Sequence, residues 1–246
     1  MGQSSSRAAL IDSLSVSDPD PLFVSNVTHT LSNAGITVDY YPPSQVTVGL
    51  FRNLPSEGYR MIIIRSHTAT FFGVPTSLAI VTSEPYTKSK YVYEQLVGQV
   101  APAVVRPGNT YFAITPSFVR DAMQGNFWGT VVIQMGCSTL QGNHAIATAF
   151  MLKGASAFVG WDDSVGSSYT DLTTENFLSS FVHGHVISEA LSSAGGPDPT
   201  YNGRLSSLDP AAVSHDRFEN AIATFGEWAV LLSVTLLVAE KLVKKR

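Results

Sequence analysis

From Ala8 onward, short apolar runs alternate with longer amphipathic stretches. Residues 8–12 read as a first strand. Residues 21–33 place Leu22, Val24, Val27 and Leu31 near helical spacing, and Gly35 closes that helix because glycine tolerates the left-handed conformation. Residues 36–40 predict a strand, stopped by Pro42 and Pro43. Residues 46–54 fit neither period. Residues 60–66 carry the unbroken run Ile62, Ile63 and Ile64, the pattern of a strand buried on both faces of a parallel sheet. Residues 69–107 mix Gly73, Pro75, Pro85, Pro102 and Pro107 with aromatic and hydroxyl side chains, which predicts hairpins and loops over a binding cleft. Residues 111–114 are a strand, and Thr115 with Pro116 opens a helix that runs to about Gln124. Residues 130–135 predict a buried strand ending at Gly136 and Cys137. A helix over 143–152, a strand over 157–160, a helix over 167–182 and a short helix over 186–194 follow. Residues 195–210 are rich in Gly, Pro and Ser and read as irregular.

This alternation predicts an α/β fold, a three-layer α/β/α sandwich with a mainly parallel sheet. Functional residues of such sheets collect at the C-terminal ends of the strands. Three places qualify: Ser66 with His67, Gly136 with Cys137, and Trp161 with Asp162 and Asp163.

Composition narrows the function. The chain has 246 residues, 44% hydrophobic and 14% charged, which excludes disorder and fits one full-sized domain over residues 8–210. The net charge of −4 gives no basic field for nucleic acid. The single cysteine excludes an internal disulfide and any multi-cysteine metal site. His183 and His185 flank Gly184, but two histidines do not make a metal centre, and Gly73 and Gly98 fit no phosphate-cradling motif. No cofactor is indicated, and nothing in the sequence points to calcium.

The chemistry rests on Cys137 and His67. If their strands are neighbours, both side chains emerge on one rim of the sheet. The imidazole then activates the thiol, the thiolate attacks a carbonyl, and the imidazolium protonates the leaving amine. Backbone N–H groups at the strand ends, those of Thr68 and Cys137, would hold the oxyanion. A core role for the cysteine stays open, since cysteine is among the most buried residue types. His144 is the fallback base. Arg65 shares the face of His67 but reads as a partner for a core carboxylate. Asn26 opens a glycosylation triplet on a predicted helix.

The wider pattern is similar to a known group. The run from Val131 to Ser138 precedes an alanine-rich helix. Lys153 to Trp161 then spells KGASAFVGW, followed by Thr170 with Asp171, Phe177 with Phe181, and the run from Gly184 to Leu191. This resembles the catalytic half of caspase-like cysteine peptidases: caspases, gingipains, clostripain and separase-related CHAT domains. The resemblance covers roughly residues 8–194, with residues 60–68 as the histidine block and 130–138 as the cysteine block. It implies a cysteine endopeptidase with His67 as general acid/base and Cys137 as nucleophile, acting on peptide or protein substrates. It also implies that the segment after Trp161 lines the pocket for the residue before the cut. Carboxylates at Asp163 and Asp162 would then select Lys or Arg, with Trp161 as a wall. Alternatively, the acids form a polar turn and the tryptophan is core. Two departures stand out. Thr68 occupies the place of the family's glycine after the histidine, and Met135-Gly-Cys-Ser-Thr139 replaces the caspase signature Gln-Ala-Cys-x-Gly. The second argues against aspartate specificity.

The ends of the chain read differently from the body. Residues 1–7 are polar and serine-rich, a flexible leader. Residues 211–246 predict an apolar C-terminal helix. Between Ala221 and Ala239 the only charge is Glu227, and Lys241, Lys244, Lys245 and Arg246 follow. As a helix, 221–239 would rise about 28 Å, close to the ~30 Å hydrocarbon core. It reads as a membrane anchor, with the basic end cytoplasmic and the peptidase domain outside the cytoplasm, or as a terminal helix packed on the sheet. A non-catalytic caspase-like scaffold, or a membrane-tethered interaction module, is the rival from another class, and Thr68 is its best support. A serine acyltransferase lacks the Gly-x-Ser-x-Gly elbow.

Overall fold

The apolar runs become the strands of a mixed α/β fold with a mostly parallel central sheet. The computed structural model describes residues 6–71, 74–106, 109–142 and 144–209. The chain runs β1 (Arg7–Asp12), α1 (Pro21–Asn33), β2 (Thr37–Tyr41), α2 (Val48–Asn53), β3 (Met61–Arg65), β4 (Thr68–Phe71), β5 (Val74–Pro85) and α3 (Val92–Leu96). It continues with β6 (Val100–Arg106), β7 (Asn109–Ile114), β8 (Val131–Gln134), α4 (Ala145–Leu152), β9 (Ala157–Trp161), α5 (Ser167–Phe181), α6 (Ile187–Ala194) and β10 (Leu205–Leu208).

The central sheet has the order β10-β9-β8-β3-β1-β2, parallel throughout except for β10 against β9. The isoleucine run of β3 is apolar at every position because both faces are covered. Ile62 and Ile64 enter one core with Phe51 of α2 and with Ile146 and Phe150 of α4. Ile63 enters the other with Phe23, Val27 and Leu31 of α1 and with Phe177 and Leu178 of α5. Burying each such side chain stabilises by roughly 1.5–3 kcal/mol. Helix α1 starts where predicted because the Asp20 carboxylate accepts the Phe23 N–H at 2.9 Å and Pro21 pre-sets the first turn.

Several expectations change. The hairpins expected over 69–107 are present and more extensive than expected: with residues 109–114 they join into a second, four-stranded antiparallel sheet, β4-β5-β7-β6. The strand expected at 111–114 therefore belongs to this sheet. Pro102 fits inside it because β6 is an edge strand, where a missing N–H costs least. The second sheet sends Ile80, Val100, Phe112 and Ile114 into the α2–α4 core, so that layer is part helix and part sheet. The unassigned stretch 46–54 contains α2, capped by Thr47 Oγ1 accepting the Leu50 N–H at 3.1 Å. The helix expected from Thr115 to about Gln124 is present over 116–122, with its greater part, Phe118–Ala122, π-helical. The irregular 195–210 region contains β10. The polar leader also ends earlier than expected. Arg7 already pairs with Thr37 and forms an ion pair with Asp39, while residues 1–5 lie outside the described residues. The C-terminal helix and anchor expected over 211–246, with its apolar run 221–239, likewise lie outside them. Among the described residues no helix is long and apolar enough to cross a membrane.

Candidate functional site

Chain order reverses between β1 and β3. From β1 the chain steps out to β2, then returns to the other side of β1 and continues through β8 and β9. Ligand sites of open α/β sheets tend to lie at the C-terminal rim beside such a reversal. Here the loop after β1 meets the end of β3 at that rim, where Ser13 donates its N–H to the Arg65 carbonyl at 3.0 Å, and the loop after β8 is next along it.

His67 and Cys137 sit on this rim. Strands β3 and β8 pair in parallel with Ile64 opposite Gln134, and that register carried forward sets His67 level with Cys137. The strand ends stay in contact there. Thr68 Oγ1 donates to the Cys137 carbonyl at 2.7 Å, and a Cβ added to Gly136 would lie 2.7 Å from the Ser66 carbonyl oxygen. Side chains alternate along strands, so Ile63, Arg65 and His67 share a face, as do Ile133, Met135 and Cys137. Both sets point to the α1–α5 side. Ile63, Ile133 and Met135 are in that core, Cys137 packs against it, and His67 Nε2 lies 2.8 Å from Ser17 Oγ, just before α1.

The two groups are held differently. Cys137 is half-buried, and its Sγ lies 3.5 Å from both the N–H and the carbonyl oxygen of Val165. The turn that follows is fixed to β9. Ser138 takes the left-handed conformation (φ 59°) and donates its N–H to the Asp163 carbonyl at 2.9 Å, and Leu140 donates to the Trp161 carbonyl at 2.8 Å. The His67 side chain is 40% exposed. Thr68 follows it into β4. Val81 donates its N–H to the His67 carbonyl, which makes Thr68 and Ile80 a non-hydrogen-bonded pair. The Thr68 N–H therefore points away from β5, as an oxyanion donor requires.

Arg65, two residues before His67, is 1% exposed and anchors the loop after β1. Its Nε and Nη2 donate to both oxygens of Asp171 at 2.8 and 2.7 Å. Its Nη1 donates to Asp12 Oδ1 at 3.0 Å and Ser15 Oγ at 3.2 Å, and its Nη2 to the Asp18 carbonyl at 2.9 Å. Burial opposes the charge, but the two carboxylates more than offset it and hold the guanidinium above its usual value. Burial pushes the Asp171 carboxyl up, with Arg65 acting against that rise.

The residues expected at the pocket follow one another at the end of β9. Trp161 is fully buried, donates Nε1–H to Thr170 Oγ1 at 2.9 Å and lies in the α5-side core rather than along a cleft. Asp162 is exposed and accepts the Arg204 N–H at 2.7 Å, fastening the entry to β10. Asp163 is half-buried, and its Oδ1 accepts the Ser164 N–H at 2.7 Å. His144 stands just before α4, which packs on the sheet face opposite Cys137. His183 and His185 are exposed near the end of α5, and His185 Nδ1 meets Glu189 at 3.2 Å. Asn26 donates to the Glu175 carboxylate across the α1–α5 contact. Among the described residues no group of His, Cys, Asp and Glu side chains could hold a metal ion.

Two features were not read from the sequence. One is the loop after β1, whose Ser17 and Asp18 approach His67. The strand-end rule would have found it had β1 been known to neighbour β3. The other is Asp198, 3% exposed, which accepts N–H groups from Gly166, Thr200 and Tyr201 at 2.8, 2.7 and 3.0 Å. Burial acts to raise its pKa, but these three donors hold the carboxyl below its ordinary range. The signal for it was only an aspartate in a Gly/Pro-rich loop. Neither a protein-family model nor a curated protein matches the chain.

Proposed function

We propose that this protein is a cysteine endopeptidase with the three-layer caspase-like fold, cutting peptide bonds through a Cys137–His67 dyad. The observation that carries the reading is the pair of strand ends, in register and on one face, from which the thiol and the imidazole emerge. The thiol gives its proton to the imidazole and the sulfur attacks the substrate carbonyl. The carbon–nitrogen bond then breaks as the imidazolium protonates the leaving amine. Water, deprotonated by the same imidazole, hydrolyses the thioester and frees the thiol. The Thr68 N–H is the favoured oxyanion donor. A preference for Lys or Arg before the cut rests on Asp163, half-buried beside the turn that carries Cys137.

Cys137→Ala and His67→Ala should each abolish hydrolysis of peptide reporters while the circular dichroism spectrum stays unchanged. Full activity in either variant removes the dyad. In the same assay Asp163→Asn should weaken cleavage after basic residues selectively, and an unaltered substrate profile removes Asp163 from the pocket.

A second reading, a non-catalytic scaffold of the same fold, draws on Thr68. Its hydroxyl ties down the Cys137 carbonyl at the position where the related peptidases carry glycine. A Cys137 thiol inert to iodoacetamide in the folded protein would favour it.

A further inference from the structure

The loop after β1 has no assigned role in the dyad, yet its Ser17 hydroxyl lies within hydrogen-bond reach of the imidazole's Nε2. Ser17 Oγ lies 2.8 Å from that nitrogen, 2.7 Å from Asp18 Oδ2 and 3.1 Å from the Leu14 carbonyl oxygen. Asp18 Oδ2 itself is 4.0 Å from Nε2, beyond direct hydrogen-bond reach. A serine hydroxyl has one hydrogen. The carboxylate and the carbonyl can only accept, so one of them takes that hydrogen, and toward the ring the oxygen accepts. Nε2 must then carry a hydrogen. In a neutral imidazole that leaves Nδ1 as the basic nitrogen.

We infer that Ser17 is the positioning residue of His67: its hydroxyl, oriented by Asp18, accepts the Nε2–H and fixes the tautomer whose Nδ1 takes the thiol proton. The catalytic consequence rests on the peptidase reading; the tautomer assignment does not. Arg65 makes the device rigid. It grips the loop through the Asp18 carbonyl and Ser15 Oγ, and its own carbonyl accepts the Ser13 N–H at 3.0 Å. The loop is thus fastened to β3 two residues before the histidine it holds.

The test uses the full chain labelled with nitrogen-15. Long-range proton–nitrogen spectra above the histidine titration range should show His67 in the Nε2–H form. Ser17→Ala should shift it toward a mixture of tautomers, and Ser17→Thr, which keeps the hydroxyl, should restore it. On peptide reporters Ser17→Ala should lower kcat about 10- to 100-fold with KM unchanged, part of what an acid–base group supplies, and Ser17→Thr should recover most of it. A wild-type ring in the Nδ1–H form, or a tautomer unaltered by Ser17→Ala, overturns the inference. Hydrolysis retained in Cys137→Ala or His67→Ala overturns the peptidase reading instead, and the ring spectra still decide Ser17.

Discussion

Replacing Arg65 by methionine keeps most of the side chain's volume and removes its charge. In the native structure that charge faces Asp12, 0% exposed, and Asp171, also buried, and both would lose their cation. Breaking a buried pair from one side typically costs about 3–5 kcal/mol, because the partner is left charged and unpaired. The loss has a ceiling, because an orphaned carboxylate can instead take a proton. At pH 7, about three units above an ordinary aspartate pKa, that costs about 4 kcal/mol for each carboxylate at 1.36 kcal/mol per unit. A domain has roughly 5–15 kcal/mol in all, so Arg65→Met should stay folded but lose a large share of its stability. The sign with pH follows. In the variant the Asp171 carboxyl, already pushed up by burial, loses the cation that opposes the rise. Its contribution is fully present below the unfolded pKa, near 3.9, and is lost as pH rises through the raised folded value. The deficit relative to wild type should therefore be smaller at pH 5 than at pH 8. Urea unfolding followed by far-ultraviolet circular dichroism measures it. With a slope of about 2 kcal/mol per molar urea, a 4 kcal/mol loss moves the midpoint by about 2 M. A deficit under about 1 kcal/mol, or one equal at the two pH values, would refute the account of Arg65 as the buried counter-charge.

Two further outcomes are expected. Gly136→Ala places a methyl 2.7 Å from the Ser66 carbonyl oxygen and Thr68 Cγ2 and 2.8 Å from Gln134 Nε2, so thermal melts should show a loss of about 1–3 kcal/mol. An unchanged melting temperature would mean the two strand ends have room to separate. Asp198, its pKa depressed, contributes stability above its unfolded value of about 3.9, and that contribution is lost as pH falls through the lower folded value. Asp198→Asn should flatten the acid limb of a stability–pH curve below about pH 4, and a limb of unaltered steepness would deny Asp198 that role.

The parallel core was legible because its signals are local. An all-apolar run such as Ile62–Ile64 can only be a strand covered twice, and Pro21 and Gly35 punctuate α1 at both ends. The second sheet was hidden because its strands carry Pro85 and Pro102, which local rules read as breakers, and only the edge position of β6 makes the latter harmless. Strand β10 is four residues long and takes its conformation from pairing with β9. At the candidate site, the placement of His67 and Cys137 just past two strand ends was readable from the apolar runs alone, and the structure makes those strands neighbours. Ser17 could not, because its place beside the ring depends on strand order, which sequence spacing does not encode. Trp161 read from the sequence equally as a cleft wall or a core residue, and the alternation of β9 turns the indole inward to Thr170.

The path from β3 into β4 has a mechanical consequence. His67 is in the short link between the parallel sheet and the antiparallel one, whereas the Cys137 turn is riveted to β9 and the Val165 segment. Any rocking of the antiparallel sheet on its neighbour would pull on the imidazole's backbone through the chain itself and on the sulfur's through the Thr68 hydroxyl that holds the Cys137 carbonyl. Both side chains thus feel how one sheet packs on the other, His67 by covalent linkage and Cys137 by a single hydrogen bond.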